Sequence, residues 1–238
     1  MTNTLLLRRI IKTAKYEPMK TDSQKAGQYI NALIQLGENQ RLDFKFEISD
    51  AKKMARTFSA FANTDGGKLL IGVKDNGRIT GIRSEEEIYM AESSAHLYCK
   101  PAVEYHIRKW FIEGRCVLEI DIPASSAKPH FAPNDAGELI AYVRVGDQNI
   151  QANSIIVDFW KSQGRQRGVL LNYGREEKIL MVYLKENEWI TLSKFTKIAR
   201  IGKTDAEKIL VNLMLLKVIR MEITEKGVYF RGTRDKQE

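Results

Sequence analysis

The segment from Arg41 to Val73 constrains this chain more than any other. Leu42, Phe44 and Phe46 alternate with Arg41, Asp43, Lys45 and Glu47, a period of two that predicts a strand with one buried face. Ser49 or Asp50 then opens a helix with Met54, Ala55, Phe58, Phe61 and Ala62 on one side and Lys52, Lys53 and Arg56 on the other. Asn63-Thr64-Asp65-Gly66-Gly67 breaks that helix, and the apolar run Lys68 to Val73 reads as a buried strand. Gly66-Gly67 supply the positive φ of a helix-to-strand turn, with Asn63 and Thr64 capping backbone groups there or touching a phosphate.

Around this unit the pattern predicts a helix from Asp22 or Ser23 to Gly37 and a turn at Asp75-Asn76-Gly77 leading into a strand, Arg78 to Ile82. A helix capped by Ser84 and Glu87 follows. Further strands are expected at Val103 to Ile112, Val117 to Ile122 and Leu139 to Val145, and a closing helix at Ser154 to Ser162. The mixture is α+β rather than a doubly wound sheet. Gln163 to Gly168 is polar, basic and glycine-rich, and marks a boundary. Beyond it the order is helix (Glu176 to Asn187), strand stub (Trp189 to Thr191), helix (Ser193 to Arg200), tight turn, helix (Thr204 to Lys217) and hairpin (Val218 to Ile223, Val228 to Arg231). That is the order of a winged helix-turn-helix. The expected domains are a basic N-terminal helix (1–20), a mixed α/β domain (21–163), a linker (164–174) and a small winged helix-turn-helix domain (175–234).

Composition narrows the function classes. The 238 residues carry a net charge of +8, and no apolar run approaches the roughly 18 residues of a membrane span. Leu5-Leu6-Leu7 is too short for a signal-peptide core. Two cysteines form no disulfide framework, so a cytoplasmic location is expected. The charge sits at the ends: residues 1–20 hold a net +4, 21–164 a net −2, and 165–238, with 16 basic against 10 acidic residues, a net +6. Basic termini point either to a polyanionic partner or simply to a soluble, lysine-rich surface. Gly202-Lys203-Thr204 ends like a phosphate-binding loop, but the glycine required five positions before Gly202 is Lys197. The alternative is a helix-helix turn with Thr204 as cap, and no nucleotide hydrolysis is expected.

The stretch from Glu38 to Ile82 contains Asp43-Phe44-Lys45, Ala60-Phe61-Ala62-Asn63-Thr64-Asp65-Gly66-Gly67 and Ile71-Gly72-Val73-Lys74-Asp75-Asn76-Gly77. It closely resembles the Schlafen-type AlbA-like domain. Weaker likeness continues through Lys128-Pro129, Tyr142 to Gly146 and the helix near Trp160, so the resemblance covers about residues 35–162. It implies an AlbA-like fold that binds nucleic acid, and many bacterial members that add a winged helix are DNA-binding regulators. In animal members three carboxylates form a metal-dependent site that cleaves RNA, and the matching positions here are Glu38, Asp43 and Asp75. Such a triad suits Mg²⁺ or Mn²⁺, with Lys45 beside it pairing a phosphate oxygen. Asp43 departs from the family's usual Glu. Each acid also has a plain alternative: Asp75 as the first residue of a turn, Asp43 and Lys45 as exposed charges on a strand, and Glu38 in a solvated loop. Animal members carry a structural zinc, but His96, Cys99 and Cys116 lack a fourth ligand, so zinc is not expected.

Three readings follow. The leading one is a nucleic-acid-binding protein, a dimeric DNA-binding transcriptional regulator with RNA as the other candidate ligand. Its contacts would be Lys52, Lys53, Arg56 and Arg144 in the first domain, and Lys203, Lys208, Asn212, Lys226 and Arg231 in the second. Arg144, in the family's Arg-x-Gly position with Gly146, has a second reading as partner of an internal acid. Asp205 and Glu207 put the wrong sign at the start of the candidate recognition helix. The rival is a metal-dependent endoribonuclease using Glu38, Asp43 and Asp75, and the third is a module whose winged helix only pairs subunits.

Overall fold

The computed structural model describes residues 23–163 and 173–233. The expected N-terminal helix, nearly all of the expected linker, and the last residue of the expected winged helix-turn-helix domain, Arg234, lie outside these residues. The chain divides between Ala152 and Asn153 into two compact units.

In the first unit, helix α1 (Ser23–Leu36) precedes strand β1 (Leu42–Lys45). Asp50 opens helix α2 (Ala51–Asn63), its carboxylate accepting from the backbone N–H groups of Lys52 at 2.8 Å and Lys53 at 3.2 Å. Strand β2 (Gly67–Ile71) returns parallel to β1, with Phe44 opposite Leu70. After helix α3 (Glu86–Ser93) and one π-helical turn (Ser94–Tyr98), strands β3 (His106–Ile112) and β4 (Arg115–Ile122) form a hairpin. They complete a four-stranded sheet ordered β1-β2-β4-β3. Strands β5 (Phe131–Pro133), β6 (Leu139–Val145) and β7 (Gln148–Gln151) make a second, antiparallel sheet.

Both faces of the larger sheet are covered. Leu42, Phe44, Leu70, Val117 and Trp110 pack with Ala26 and Ile30 of α1, whereas Leu69, Ile71, Leu118 and Ile120 pack with Phe58 and Phe61 of α2. Successive residues therefore serve opposite cores, as in a two-sided sheet. On its far side α2 carries β6 and β5, so every residue from Thr57 to Asn63 is buried. The small side chains Ser59, Ala60 and Ala62 allow that close approach.

Several local expectations come out differently. Arg78 to Ile82 forms no strand; Val73 and Ile79 make one isolated bridge across the turn. The Ser84–Glu87 capping box is replaced by Ser84 Oγ accepting from Glu86 N, while Glu87 accepts from Arg83 N and Ile48 N. Strands β5 and β7 lack an alternating apolar pattern: one ends in a proline and the other reads Gln-Asn-Ile-Gln.

The second unit begins with helix α4 (Ser154–Gln163), the helix expected to close the first domain. Ile155 instead enters a core with Leu180, Phe195, Leu210 and Phe230, and Ser154 Oγ donates to Glu207 Oε1 at 2.7 Å. Helices α5 (Arg175–Glu186), α6 (Leu192–Ala199) and α7 (Lys203–Leu215) follow, then the hairpin of β8 (Ile219–Thr224) and β9 (Gly227–Gly232). Ile190, between α5 and α6, exchanges two 2.8 Å backbone hydrogen bonds with Phe230. Helix α7 starts one residue before Thr204, with Gly202 at its cap, and Glu207 is turned toward Ser154.

Gly66 gives a direct test of the helix-to-strand turn. Its φ is +70°, and a Cβ there would lie 2.7 Å from Ala124 N and from Ile122 O, both backbone. Gly66→Ala should lower the unfolding free energy in urea by about 2 kcal/mol or more. Gly114→Ala, at φ +75° but with nothing within 4 Å of the new Cβ, should cost only about 1 kcal/mol.

Candidate functional site

The sequence-expected acids come from three places in the first unit. Glu38 lies between α1 and β1, Asp43 within β1, and Asp75 on the turn after β2. Glu38 Oε1 accepts from Phe44 N at 2.8 Å and lies 3.8 Å from Lys45 Nζ. Lys45 Nζ reaches Asp43 at 3.1 Å and donates to Phe44 O at 2.8 Å. Burial and then the adjacent Asp43 carboxyl push Glu38 above the usual carboxylate range. Two of the three carboxylates thus meet, with Lys45 between them.

Asp43 is not the exposed strand charge of the simpler reading; it is 3% exposed. It faces away from Leu42 and Phe44, on the side of the sheet that meets the smaller sheet. There Arg144 Nη2 lies 3.4 Å from Asp43 Oδ1. The same guanidinium donates to Asn39 O at 3.3 Å, Leu42 O at 3.4 Å and Asn149 Oδ1 at 3.1 Å, and stands 5.1 Å from the centre of the Phe61 ring. Arg144 was expected among the phosphate contacts. At 2% exposure, with its donors spent on β1, β7 and the loop before β1, it is instead an internal ionic tie.

Asp75 is exposed on its turn and has no bond to Glu38 or Asp43. Among the described residues no group of three or more His, Cys, Asp or Glu side chains is arranged to hold a metal ion. The donors do not fit a divalent cation: Asp43 is taken by two cationic side chains and Glu38 by a backbone N–H. His96 packs edge-on against Tyr105, and Cys99 Sγ donates to Ala55 O, its thiol pushed up to about 12 by burial.

At the Asn63–Gly67 turn the polar side chains bond within the domain. Asn63 is 2% exposed, donating to His130 O at 2.8 Å and Tyr142 O at 3.0 Å while accepting from His130 N at 2.8 Å. Thr64 Oγ1 donates to Ala60 O and accepts from Arg144 N at 2.9 Å. A Cβ on Gly67 would meet the Phe61 ring at 2.5 Å.

The expected cationic contacts divide sharply. Lys52 and Lys53 are exposed on the first turn of α2. Arg56 is held by Asp135 at 2.7 Å and Pro133 O at 2.9 Å. In the second unit Lys203, Lys208, Asn212 and Lys226 are exposed, with Lys203 3.9 Å from Glu207 and Lys208 3.8 Å from Asp205. Arg231 is engaged by Glu222 and Glu188.

Two buried polar centres escaped the sequence reading. Glu119, 0% exposed, accepts from Trp110 Nε1 at 2.7 Å and Tyr29 OH at 3.0 Å and pairs with Lys68. His130, 3% exposed, has Nδ1 2.9 Å from Pro101 O and Nε2 2.7 Å from Ser125 Oγ. Nδ1 faces an acceptor, so it carries the proton and Nε2 accepts from the Ser125 hydroxyl. Glu119 follows Leu118 in an apolar strand, where a buried acid has no periodic signature; the Lys68–Glu119 pairing appears only once β2 and β4 are side by side.

The first unit is therefore a two-sheet α+β domain whose sheets clamp one helix and are tied by an internal Asp–Arg pair. Residues 38–153 match the model of the family described as Schlafen, AlbA_2, and this segment carries that domain. Among solved structures the chain is similar to the DIP2311 protein from Corynebacterium diphtheriae, at 20% identity and a TM-score of 0.40. That match covers 61% of this chain but spans only about a third, 34%, of the other. It is also similar to the N-terminal domain of a RecG-related protein, named for an ATP-dependent DNA helicase, from Nitrosomonas europaea. There the identity is 22% and the TM-score 0.38, over 63% of this chain and 97% of that one. No curated protein matches the chain. No helix among the described residues is long and apolar enough to cross a membrane.

Asp43→Ala leaves Arg144 buried without its carboxylate and should cost about 3–5 kcal/mol in urea unfolding. Asp75→Ala, on an exposed turn, should stay within about 0.5 kcal/mol of the parent.

His130 gives a pH dependence. Burial holds its imidazole below the usual 6.5, so the unfolded chain takes up a proton before the native one does. Stability should be intact above pH 6.5 and fall as the pH drops below it. Urea midpoints at about pH 7.5 and about pH 5.5 check this, with His130→Asn less stable at both but showing a smaller drop between them.

Proposed function

We propose that the chain is a nucleic-acid-binding protein, with duplex DNA its preferred ligand and transcriptional regulation its role. The second unit is read as a winged helix-turn-helix, with α7 as recognition helix and the β8–β9 hairpin as wing. The observation that carries the reading is the outward stripe of α7. Thr204, Lys208 and Asn212, four residues apart, are all exposed, and Lys226 is exposed at the hairpin tip. The net +6 of residues 165–238 supplies the long-range attraction. Lys52 and Lys53, with the Schlafen AlbA_2 domain they belong to, support phosphate contact by the first unit as well.

The acids at the start of α7 modulate this binding. Asp205 and Lys208 are both mostly exposed, and at 3.8 Å their pairing is weak and easily exchanged for a phosphate. An uncompensated Asp205 still repels the backbone it would face. Asp205→Asn should therefore tighten binding, and Lys208→Glu weaken it.

The test is anisotropy of a labelled DNA duplex and of a matching RNA. With about four phosphate contacts, affinity should fall about a hundredfold between about 50 and about 200 mM salt. Asp205→Asn should bind several-fold tighter and Lys208→Glu at least several-fold weaker, with the DNA preferred. Salt-independent binding, or none to either ligand, overturns the reading. Structured RNA incubated with Mn²⁺ tests the rival: cleavage by the parent that Asp75→Ala abolishes would establish the ribonuclease instead.

A further inference from the structure

Among the described residues, one face of the second unit is apolar and open. A groove of about 680 Å³ runs along α5, lined by Arg175, Lys178, Ile179, Val182, Tyr183 and Glu186, with Ile198 of α6 in its wall. Val182 is 57% exposed there, in a helix whose opposite side buries Leu180 completely. The six α5 residues follow the three-and-four spacing of a single helical stripe.

We propose that this stripe is a homodimer interface in which α5 packs antiparallel against α5 of a second copy. The argument is the order of charges. Two cations, Arg175 and Lys178, occupy the start of the stripe; Ile179 and Val182 its middle; Tyr183 and Glu186 its end. A two-fold axis crossing midway between Ile179 and Val182 sets Arg175 against Glu186, Lys178 against Tyr183, and Ile179 against Val182. Each contact then occurs twice, as an isologous interface requires. The apolar pairs lie at the centre and the ion pairs at the rim. Lys178 faces an aromatic ring, the contact that Lys194 already makes with Tyr183 at 5.8 Å. Parallel packing would instead bring Arg175 onto Arg175 and Glu186 onto Glu186, so the stripe selects against it.

The helix is 12 residues, about 18 Å long. A single helix pair falls short of the roughly 800 Å² per partner of a standard interface, so the dimer forms in the micromolar range. The inference does not rest on nucleic-acid binding; its readout is mass, with no nucleic acid present.

Sedimentation velocity of the full chain across micromolar concentrations should show a reversible monomer–dimer equilibrium. Arg175→Glu places two acids together at both ends of the interface, and Glu186→Arg two bases, so each should weaken the dimer at least about tenfold. The double variant restores opposite charges and should recover the parent affinity. An equimolar mixture of the two single variants should form heterodimers, since each then meets its complement at both ends. The proposal is overturned by a chain that stays monomeric, by a dimer indifferent to both reversals, or by a double variant that fails to recover.

Discussion

The buried pair of Asp43 and Arg144 is what the first unit is arranged around. Taking both charges out of water costs several kcal/mol per ion, and the Coulomb gain alone does not return it. The cost is offset because the guanidinium also donates to Asn39 O, Leu42 O and Asn149 Oδ1 and lies over the Phe61 ring. These contacts join the loop before β1, β1 itself, α2, β6 and β7. The backbone reinforces the same junction: Arg144 N donates to Thr64 Oγ1, and Gln40 donates to Arg144 O and accepts from Gly146 N. A substitution at Asp43 therefore loosens the clamp on α2 as well as removing a carboxylate, and loss of any activity there is no sign of catalysis. Asp75, free of this network, is the acid whose replacement reports on chemistry.

Local periodicity was legible and two-sided burial was not. Helices α1, α2, α5 and α6 and strands β1 and β2 lie within a few residues of where the apolar spacing puts them, since each has a stripe or run that a single neighbour reads. The alternation around β1 is compatible with one wet face, and nothing in Arg41 to Glu47 says that a second sheet will close over Asp43. That closure comes from β6, about a hundred residues later, whose own Arg144 gave the only hint in its pairing with an unnamed acid. The expected Ser84–Glu87 capping box failed for a related reason, and Glu207, three residues after the expected cap Thr204, is engaged elsewhere in the same way. Glu87 and Glu207 have the right spacing, but Ile48 N and Ser154 Oγ, both distant in sequence, take their carboxylates. The turn at Asn63–Gly67 was legible because a glycine pair between helix and strand states its own backbone requirement.

The cations show how position in the fold sorts side chains that the sequence treats alike. Of the expected phosphate contacts, the arginines are paired within the chain: Arg144 in the interior with Asp43, Arg56 with Asp135 and Pro133 O, and Arg231 at the surface with Glu188 and Glu222. The lysines, together with Asn212, remain at the surface. A planar fork of five donors can satisfy several carbonyls and a carboxylate at once, whereas an ammonium on a flexible stem keeps more of its hydration when left outside. The binding surface that survives this sorting is lysine-rich. Lysine neutralises phosphate as a point charge and reads base edges less well than a bidentate guanidinium. In the proposed function, sequence discrimination by α7 falls on Asn212 and Thr204, the exposed hydrogen-bonding groups of its stripe.

That weakness bears on how such a protein gains selectivity. In the proposed function one α7 offers few base-reading groups, and an affinity that is chiefly electrostatic is indifferent to sequence. Two copies joined through α5 would present two α7 stripes at a fixed separation, so only a site with matching half-site spacing engages both, and the second engagement proceeds at high effective concentration. The two stripes do not overlap: the proposed dimer stripe uses Arg175 to Glu186 and the proposed nucleic-acid stripe Thr204 to Asn212, on different helices of the same core. A micromolar dimer that forms more completely when both copies sit on one duplex would make such binding cooperative in protein concentration. Selectivity would then reside in the spacing between two weakly reading helices rather than in either helix alone.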